Sequence, residues 1–279
     1  MLLLLGLEGP LSKEAWVYDA LVEANKSLLA SSPRASGMDP GPLNPPAPGA
    51  FVAALKDLAP RFYSIASSPV ADAGEIHLCV AAVRYESIMN PRPLGGVATT
   101  YLIDRVKVGG AVPVFVQRNP DFRLPEPGTP KIMVGPGTGI APFRAFWRHE
   151  AGLTGPDAPG PSTLFFGCRY AKGDFLYADE MRATAWRVVT AFSRDGEPDQ
   201  PRTYVQHRSR SSPEAAEVWR LLDANAHVYI CGDGARMASD VHAALVDVCV
   251  AQSPAGRFPS RADADAFVKQ RTSLDVWVV

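Results

Sequence analysis

The run from Lys131 to Pro142, Lys-Ile-Met-Val-Gly-Pro-Gly-Thr-Gly-Ile-Ala-Pro, is suited to meeting an anion. An apolar strand leads into Gly135, Gly137 and Gly139, and Pro142 stands where a helix should open. Glycines let backbone approach a ligand closely, and free amides at a helix start favour negative charge. The usual dinucleotide fingerprint has G-x-G-x-x-G and an acid about twenty residues on. Here Ile140 takes the third glycine position, and the acid at that distance, Asp157, falls in a Gly/Pro-rich loop. Without an acid for a ribose hydroxyl, basic residues that hold a 2′-phosphate become the expectation. Ser193 and Arg194 follow an expected strand at 188–192, and Arg202, Tyr204 and Gln206 come just after. Two guanidinium groups, a hydroxyl and an aromatic face suit a phosphorylated adenosine, although the same residues would also serve as a solvated loop.

A second set lies upstream. Arg61 can pair with a pyrophosphate, the Tyr63 ring can stack on a planar ring, and the Ser64 hydroxyl can reach a ring nitrogen. Strand alternation puts Arg61 and Tyr63 on one face and Ser64 on the other. The segment Gly95-Gly-Val-Ala-Thr99 can present amides and a hydroxyl to phosphate at a helix start. Near the end, Asp275-Val-Trp277 offers an indole that either packs into the core or forms a movable lid on a ring. The cysteines are Cys79, Cys168, Cys231 and Cys249. None forms C-x-x-C, no Cys/His cluster has zinc spacing, and no metal is expected.

These residues need a scaffold, and 279 residues of which 47% are hydrophobic suffice for about two packed domains. A net charge of −1 gives no bulk attraction to nucleic acid or anionic membrane, so any anion must be gripped locally. The apolar start at 1–7 is too short to span a bilayer and reads as a helix or strand remnant. A soluble cytoplasmic protein is expected. Helical spacing at 11–30 precedes a Ser/Pro/Gly-rich loop at 31–49 and a short helix at 51–58. From Arg61 the texture is β-branched and aromatic, predicting antiparallel strands at 62–67, 75–85 and 112–117. From Pro130, strands at 131–134, 163–167, 188–192 and 227–231 alternate with helices at 142–149, 178–186, 213–222, 235–250 and 262–269. Such alternation predicts a doubly wound parallel sheet with ligands at the strands' carboxyl ends.

The order of these motifs resembles the FAD- and NADPH-binding part of the diflavin reductases, which include NADPH–haemoprotein reductases, the reductase part of nitric oxide synthases and the sulfite reductase flavoprotein. The resemblance runs from residue 60 to 279. It is carried by Arg61-Phe-Tyr-Ser-Ile-Ala-Ser-Ser68, Gly96-Val-Ala-Thr99, Met133-Val-Gly-Pro-Gly-Thr-Gly-Ile-Ala-Pro-Phe143 and Phe166-Gly-Cys-Arg169. Phe192-Ser-Arg194, Tyr204-Val-Gln-His207, Tyr229-Ile-Cys-Gly-Asp233 and Asp275-Val-Trp277 continue it. It implies an α+β two-domain fold, an incomplete antiparallel β-barrel for FAD followed by an α/β doubly wound NADP-binding domain, as in ferredoxin–NADP reductases. The expected divisions are 1–60, a remnant of the helical connecting segment and linker; 61–129, the FAD-binding part; and 130–279, the NADPH-binding part.

Residue by residue, the resemblance implies that Arg61 pairs with the FAD pyrophosphate. Tyr63 and Trp277 cover opposite faces of the isoalloxazine, and Ser64 bonds near flavin N5. Cys79, Val80 and Ala81 line the flavin site, and Gly96, Val97, Ala98 and Thr99 hold its phosphates. Thr138 contacts the NADPH pyrophosphate. Ser193, Arg194, Arg202, Tyr204 and Gln206 fix the adenosine 2′-phosphate, and Asp240 contacts the nicotinamide-side ribose or amide. Ser64, Cys231 and Asp275 form the hydride-transfer cluster, and Trp277 must swing away before transfer.

The implied activity is hydride transfer from NADPH to FAD, then electron transfer to an FMN-binding flavodoxin-like domain or a redox or haem protein. FMN belongs to that partner. The FMN domain and the early barrel strands have no counterpart in the sequence, which favours a fragment of a longer protein over a two-polypeptide arrangement or a defective copy. The alternatives are a catalytically impaired NADP(H)-binding fragment and a ferredoxin–NADP reductase-like enzyme.

Overall fold

The computed structural model describes residues 2–7, 58–87, 90–197 and 200–277. The helix expected at 11–30, the loop at 31–49 and all but the last residue of the helix at 51–58 lie outside the described residues.

Before residue 130 the strands are β1 (Leu2–Leu7), β2 (Arg84–Ser87), β3 (Asn90–Gly95) and β4 (Val114–Asn119). β1 pairs antiparallel with β4, and β2 with β3 across an irregularity between Glu86 and Ser87. Among the described residues these are two separate pairs. A short helix, α1 (Val97–Thr100), follows β3 and continues into a π-helical turn at Tyr101–Arg105.

The strands expected at 62–67 and 75–85 are corrected. Only one antiparallel bridge, Ile65 to Leu78, joins these segments, and the regular strand starts at Arg84. Side chains take the backbone's partners here. Ser67 Oγ accepts the His77 N–H at 3.0 Å, and the Asp72 carboxylate accepts the Ser68 N–H at 2.9 Å. Such local bonds compete with a ladder and fold the chain into a turn. β3 was not anticipated, because Pro91 and Pro93 argue against a strand and are tolerated only at edges.

The second half holds β5 (Lys131–Val134), β6 (Ser162–Cys168), β7 (Arg187–Phe192), β8 (His227–Asp233) and β9 (Thr272–Trp277). They form one parallel sheet in the order β7-β6-β5-β8-β9. Its helices are α2 (Ala141–Glu150), α3 (Ala178–Ala183), α4 (Val205–Arg210), α5 (Glu214–Asp223), α6 (Met237–Gln252) and α7 (Arg261–Lys269). No described helix is long and apolar enough to cross a membrane.

Strand alternation divides the core. Ile132, Val134 and Val228 face Val218, Leu221, Leu222, Val241 and Leu245 of α5 and α6. Met133, Leu164, Phe166 and Tyr229 face Phe143, Phe146 and Trp147 of α2 on the other side. Phe122, from the chain entering β5, is fully buried there, with ring centroids 5.1 Å from Tyr229 and 5.9 Å from Phe146. α3 ends three residues before the expected 186. Trp186 instead turns into the core and donates to Glu150 Oε2 at 3.1 Å, beside the buried Lys131–Glu150 ion pair at 2.7 Å.

α2 also ties the two halves together. The buried Arg144 guanidinium binds Glu180 through Nε and Nη2. Its Nη1 donates to the Ala66 carbonyl at 2.8 Å and to His77 Nδ1 at 2.9 Å. One turn on, Arg148 pairs through Nε and Nη2 with Asp72. This hydrogen-bonded Arg148 holds the Asp72 carboxyl down at about 2, against the desolvation that pushes it up.

The folded value lies below the ordinary carboxylate value, so the pair stabilises fully above the latter. It is lost as pH falls through about 2. Asp72→Asn should therefore cost about 1–2 kcal/mol at neutral pH, reduced by screening on the half-open Arg148 side. In thermal melts the gap to wild type should close between about pH 4 and about pH 2. A gap that is constant with pH would remove Asp72 from this role.

Candidate active site

β5 leads one way to β6 and the other way to β8, so the carboxyl ends of β5 and β8 mark the topological switch point of the sheet. The glycine turn lies there. Gly137–Ile140 forms one 3-10 turn that passes into α2, with Pro142 in the first turn of that helix. Gly137 has φ +56, which favours glycine. A side-chain carbon on Gly139 would run into the Cys231 carbonyl oxygen. The turn and the end of β8 thus touch backbone to backbone.

A cleft of about 810 Å³ opens at this point. Gly137 and Thr138 of the glycine turn line it together with Cys79, Val80, Ala81, Tyr204, Gln206 and Asp240. A second pocket of about 280 Å³ adjoins it, lined by Ser193, Arg194 and Arg202 and sharing Ser193 and Thr203 with the cleft. Backbone bonds from Ser193 to Cys168 and from Arg194 to Arg169, each 2.9 Å, fix the loop after β7. Three of the five residues expected to grip a 2′-phosphate, Ser193, Arg194 and Arg202, therefore line one pocket.

Gln206 does not join them. It lines the large cleft, where Nε2 donates to Asp240 Oδ2 at 3.4 Å. Its Oε1 is buried with no partner among the described residues, an acceptor facing a donor that a ligand could supply. Gln206 and Tyr204 thus line the large cleft and lie outside the lining of the arginine pocket. Tyr204 is the residue before α4, a helix the sequence does not announce because Val205 is its one buried apolar residue.

The Ser64, Cys231 and Asp275 side chains meet. In the β8–β9 register Cys231 is opposite Asp275, and Ser64 arrives from the other half of the chain. Ser64 Oγ donates to Asp275 Oδ2 at 2.6 Å, and Cys231 Sγ donates to the same oxygen at 3.6 Å. Burial, the largest influence, raises the Asp275 pKa, while the two donors pull it down. Burial and the Asp275 charge push the Cys231 thiol well up, so it stays neutral and donates. The Tyr63 pKa is raised by burial and lowered by Arg61, which places that guanidinium in its field. Arg61 Nη1 itself rests on the Ala59 carbonyl at 2.5 Å.

Trp277 is not a loose tail. It closes β9 opposite Asp233, and its carbonyl accepts the Gly234 N–H at 2.7 Å. The residue is 38% exposed. Gly96 caps α1 in extended conformation, ahead of Val97, Ala98 and Thr99. Its N–H is taken by the Val83 carbonyl, and Thr99 Oγ1 accepts the Val83 N–H at 3.3 Å.

Arg169, Asp174, Arg236 and Met237 also line the cleft and were not singled out. Arg169 and Arg236 follow the carboxyl ends of β6 and β8, where the switch-point rule would have found them. Arg169 is held by Asp174 at 3.1 Å.

This donor set fits a phosphorylated dinucleotide, with amides at the glycine turn, guanidinium groups in the side pocket and an orphaned acceptor between them. The aromatic, hydroxyl and guanidinium groups of Tyr63, Ser64 and Arg61 fit a flavin nucleotide by their chemistry.

The sequence matches two protein-family models, the oxidoreductase NAD-binding domain over residues 133–243 and the FAD binding domain over residues 39–101. FAD and a nicotinamide dinucleotide are the cofactors of such domains. Over 205 residues the chain is 45% identical to the sulfite reductase (NADPH) flavoprotein alpha-component of Citrobacter koseri, covering 71% of this chain and 32% of that protein. For the same component of Escherichia coli strain K12 the figures are 44%, 71% and 33%, and Shigella boydii has a relative of the same similarity. The chain spans about a third of the length of the curated relatives it matches. With the FAD-binding and NAD-binding modules in this order and relatives this similar, the chain belongs to the diflavin reductase family.

Proposed function

We propose that the chain is an NADPH-dependent flavoprotein oxidoreductase module, with residues 61–129 binding FAD and 130–279 binding NADPH. The observation that carries this reading is the hydrogen bond from Ser64 to Asp275. It joins the flavin-side segment to the far edge of the parallel sheet, at the end of β8 beside the glycine turn. FAD, when bound, supplies the change from two-electron to one-electron chemistry. The electrons would then pass to an FMN-binding domain or a haem protein. The similarity to an NADPH sulfite reductase component supports this direction.

The chain's own residues position and polarise. Arg194 and Arg202 line one pocket and offer two cations for a 2′-phosphate, with the Ser193 hydroxyl in the same lining. Thr138 and the free amides of the turn receive a pyrophosphate at the start of α2. Tyr63 and Trp277 supply aromatic faces and Arg61 a guanidinium, while the Gly96 to Thr99 segment would meet the flavin-side phosphate through the amides of Val97 and Ala98, the Gly96 N–H being taken by Val83. Asp275 contributes a buried negative charge, and such a charge stabilises positive charge developing on a hydride donor. Ser64 donates from Oγ and Cys231 from Sγ to Asp275 Oδ2, which favours the ionised carboxylate against the burial that raises its pKa.

The purified chain with saturating FAD and NADPH should reduce ferricyanide. No turnover at saturating FAD would count against an autonomous enzyme. Replacing both Arg194 and Arg202 with alanine should lower the preference for NADPH over NADH by at least about tenfold, as befits lost charge-assisted bonds. An unchanged preference, read as the ratio of kcat/KM values, would refute that pocket. Asp275→Asn should cut flavin reduction by NADPH about tenfold or more. The raised Asp275 pKa means its ionised form costs stability above the ordinary carboxylate range, so the same variant should melt no lower than wild type at neutral pH. A slow variant that also melts much lower would point to a structural role alone.

A further inference from the structure

His207 lines neither the cleft nor the arginine pocket. Yet it makes two contacts with one residue that does. Its Nδ1 accepts the Tyr204 backbone N–H at 3.3 Å. Its ring also lies edge-on to the Tyr204 ring, with centroids 5.6 Å apart and planes at 64°. Tyr204 stands just before α4 in extended conformation, φ −115 and ψ 168, where its amide has no intrahelical partner. Its ring is 40% exposed and lines the cleft, and the adjoining Thr203 lines both cavities. A half-exposed aromatic left to itself samples several rotamers, and ordering it on binding costs affinity.

We propose that His207 is a positioning residue for the nucleotide site. It fixes both the backbone and the ring of Tyr204, so that an aromatic face is already set where the adenosine end of the dinucleotide passes from the cleft into the arginine pocket. The proposal rests on the dinucleotide reading above and adds to it a residue that never touches the ligand. It specifies the chemistry required of that residue, an acceptor three positions into the helix that can reach back to the capping amide. Glutamine meets this need at that position, as in an ordinary capping box, whereas leucine keeps bulk but accepts nothing.

The test is calorimetric titration of the full chain, wild type, His207→Leu and His207→Gln, with adenosine 2′,5′-bisphosphate and separately with nicotinamide mononucleotide. His207→Leu should bind the bisphosphate about fivefold more weakly, and His207→Gln should stay within about twofold of wild type. Affinity for the mononucleotide should be the same in all three. A leucine variant that binds the bisphosphate as tightly as wild type overturns the proposal, even if it melts lower, since His207 is then only a helix cap. A glutamine variant as weak as leucine overturns the acceptor role. Wild-type protein that fails to bind the bisphosphate would instead defeat the dinucleotide reading itself, a result distinct from either.

Discussion

A carboxylate out of water needs donors, and the Asp275 carboxylate draws them from two parts of the chain that lie far apart in sequence. Burial disfavours its charge, and only the Ser64 hydroxyl and the Cys231 thiol offset that among the causes of its shift. The Cys231 thiol can donate because burial keeps its own pKa high. The arrangement is mutually dependent: the Asp275 charge raises the Cys231 thiol pKa and so keeps it a donor, and the two donors oppose the burial that raises the acid's own pKa. Ser64 can reach Asp275 only if the segment after Ala59 lies across the end of the parallel sheet. The hydrogen bond is therefore also a condition on how the two halves sit.

That condition is met by α2. Arg144 and Arg148 project from one helix onto the Ala66–His77 turn, binding a carbonyl, an imidazole nitrogen and a buried carboxylate. The same helix begins at the glycine turn. One element thus carries the glycine turn at one end and the clamp on the Ala66–His77 turn along its length. Its other face is locked into the sheet by Phe143, Phe146 and Trp147. Moving the clamp would move the turn, and the apolar packing around Phe122 meets the cleft directly through Cys79 and Cys168.

The parallel half was legible in the sequence because its strands are buried on both faces and its helices carry wide apolar stripes. KIMV at β5 is buried at every position and falls at 131–134 as expected. β9 was missed as a strand because Leu274, Val276 and Trp277 are exposed, so the segment reads as a polar-apolar tail. α4 was missed for want of a stripe. In the antiparallel half, composition suggested strands at 62–67 and 75–85, but Ser67 and Asp72 side chains captured the backbone amides and left a single bridge. Local side-chain capture depends on three-dimensional approach, which no propensity reports.

The site shows the same division. Ser193, Arg194 and Arg202 could be grouped from sequence because they follow one strand end, and strand ends converge in this architecture. Gln206 could not be separated from them, since only the fold shows its amide turned toward Asp240 on α6. That turn leaves Gln206 as an acceptor, whereas the neighbouring arginines are donors. The two linings therefore differ: the side pocket presents Arg194 and Arg202, while the cleft presents the oxygens of Gln206 and Asp240 together with the guanidinium groups of Arg169 and Arg236.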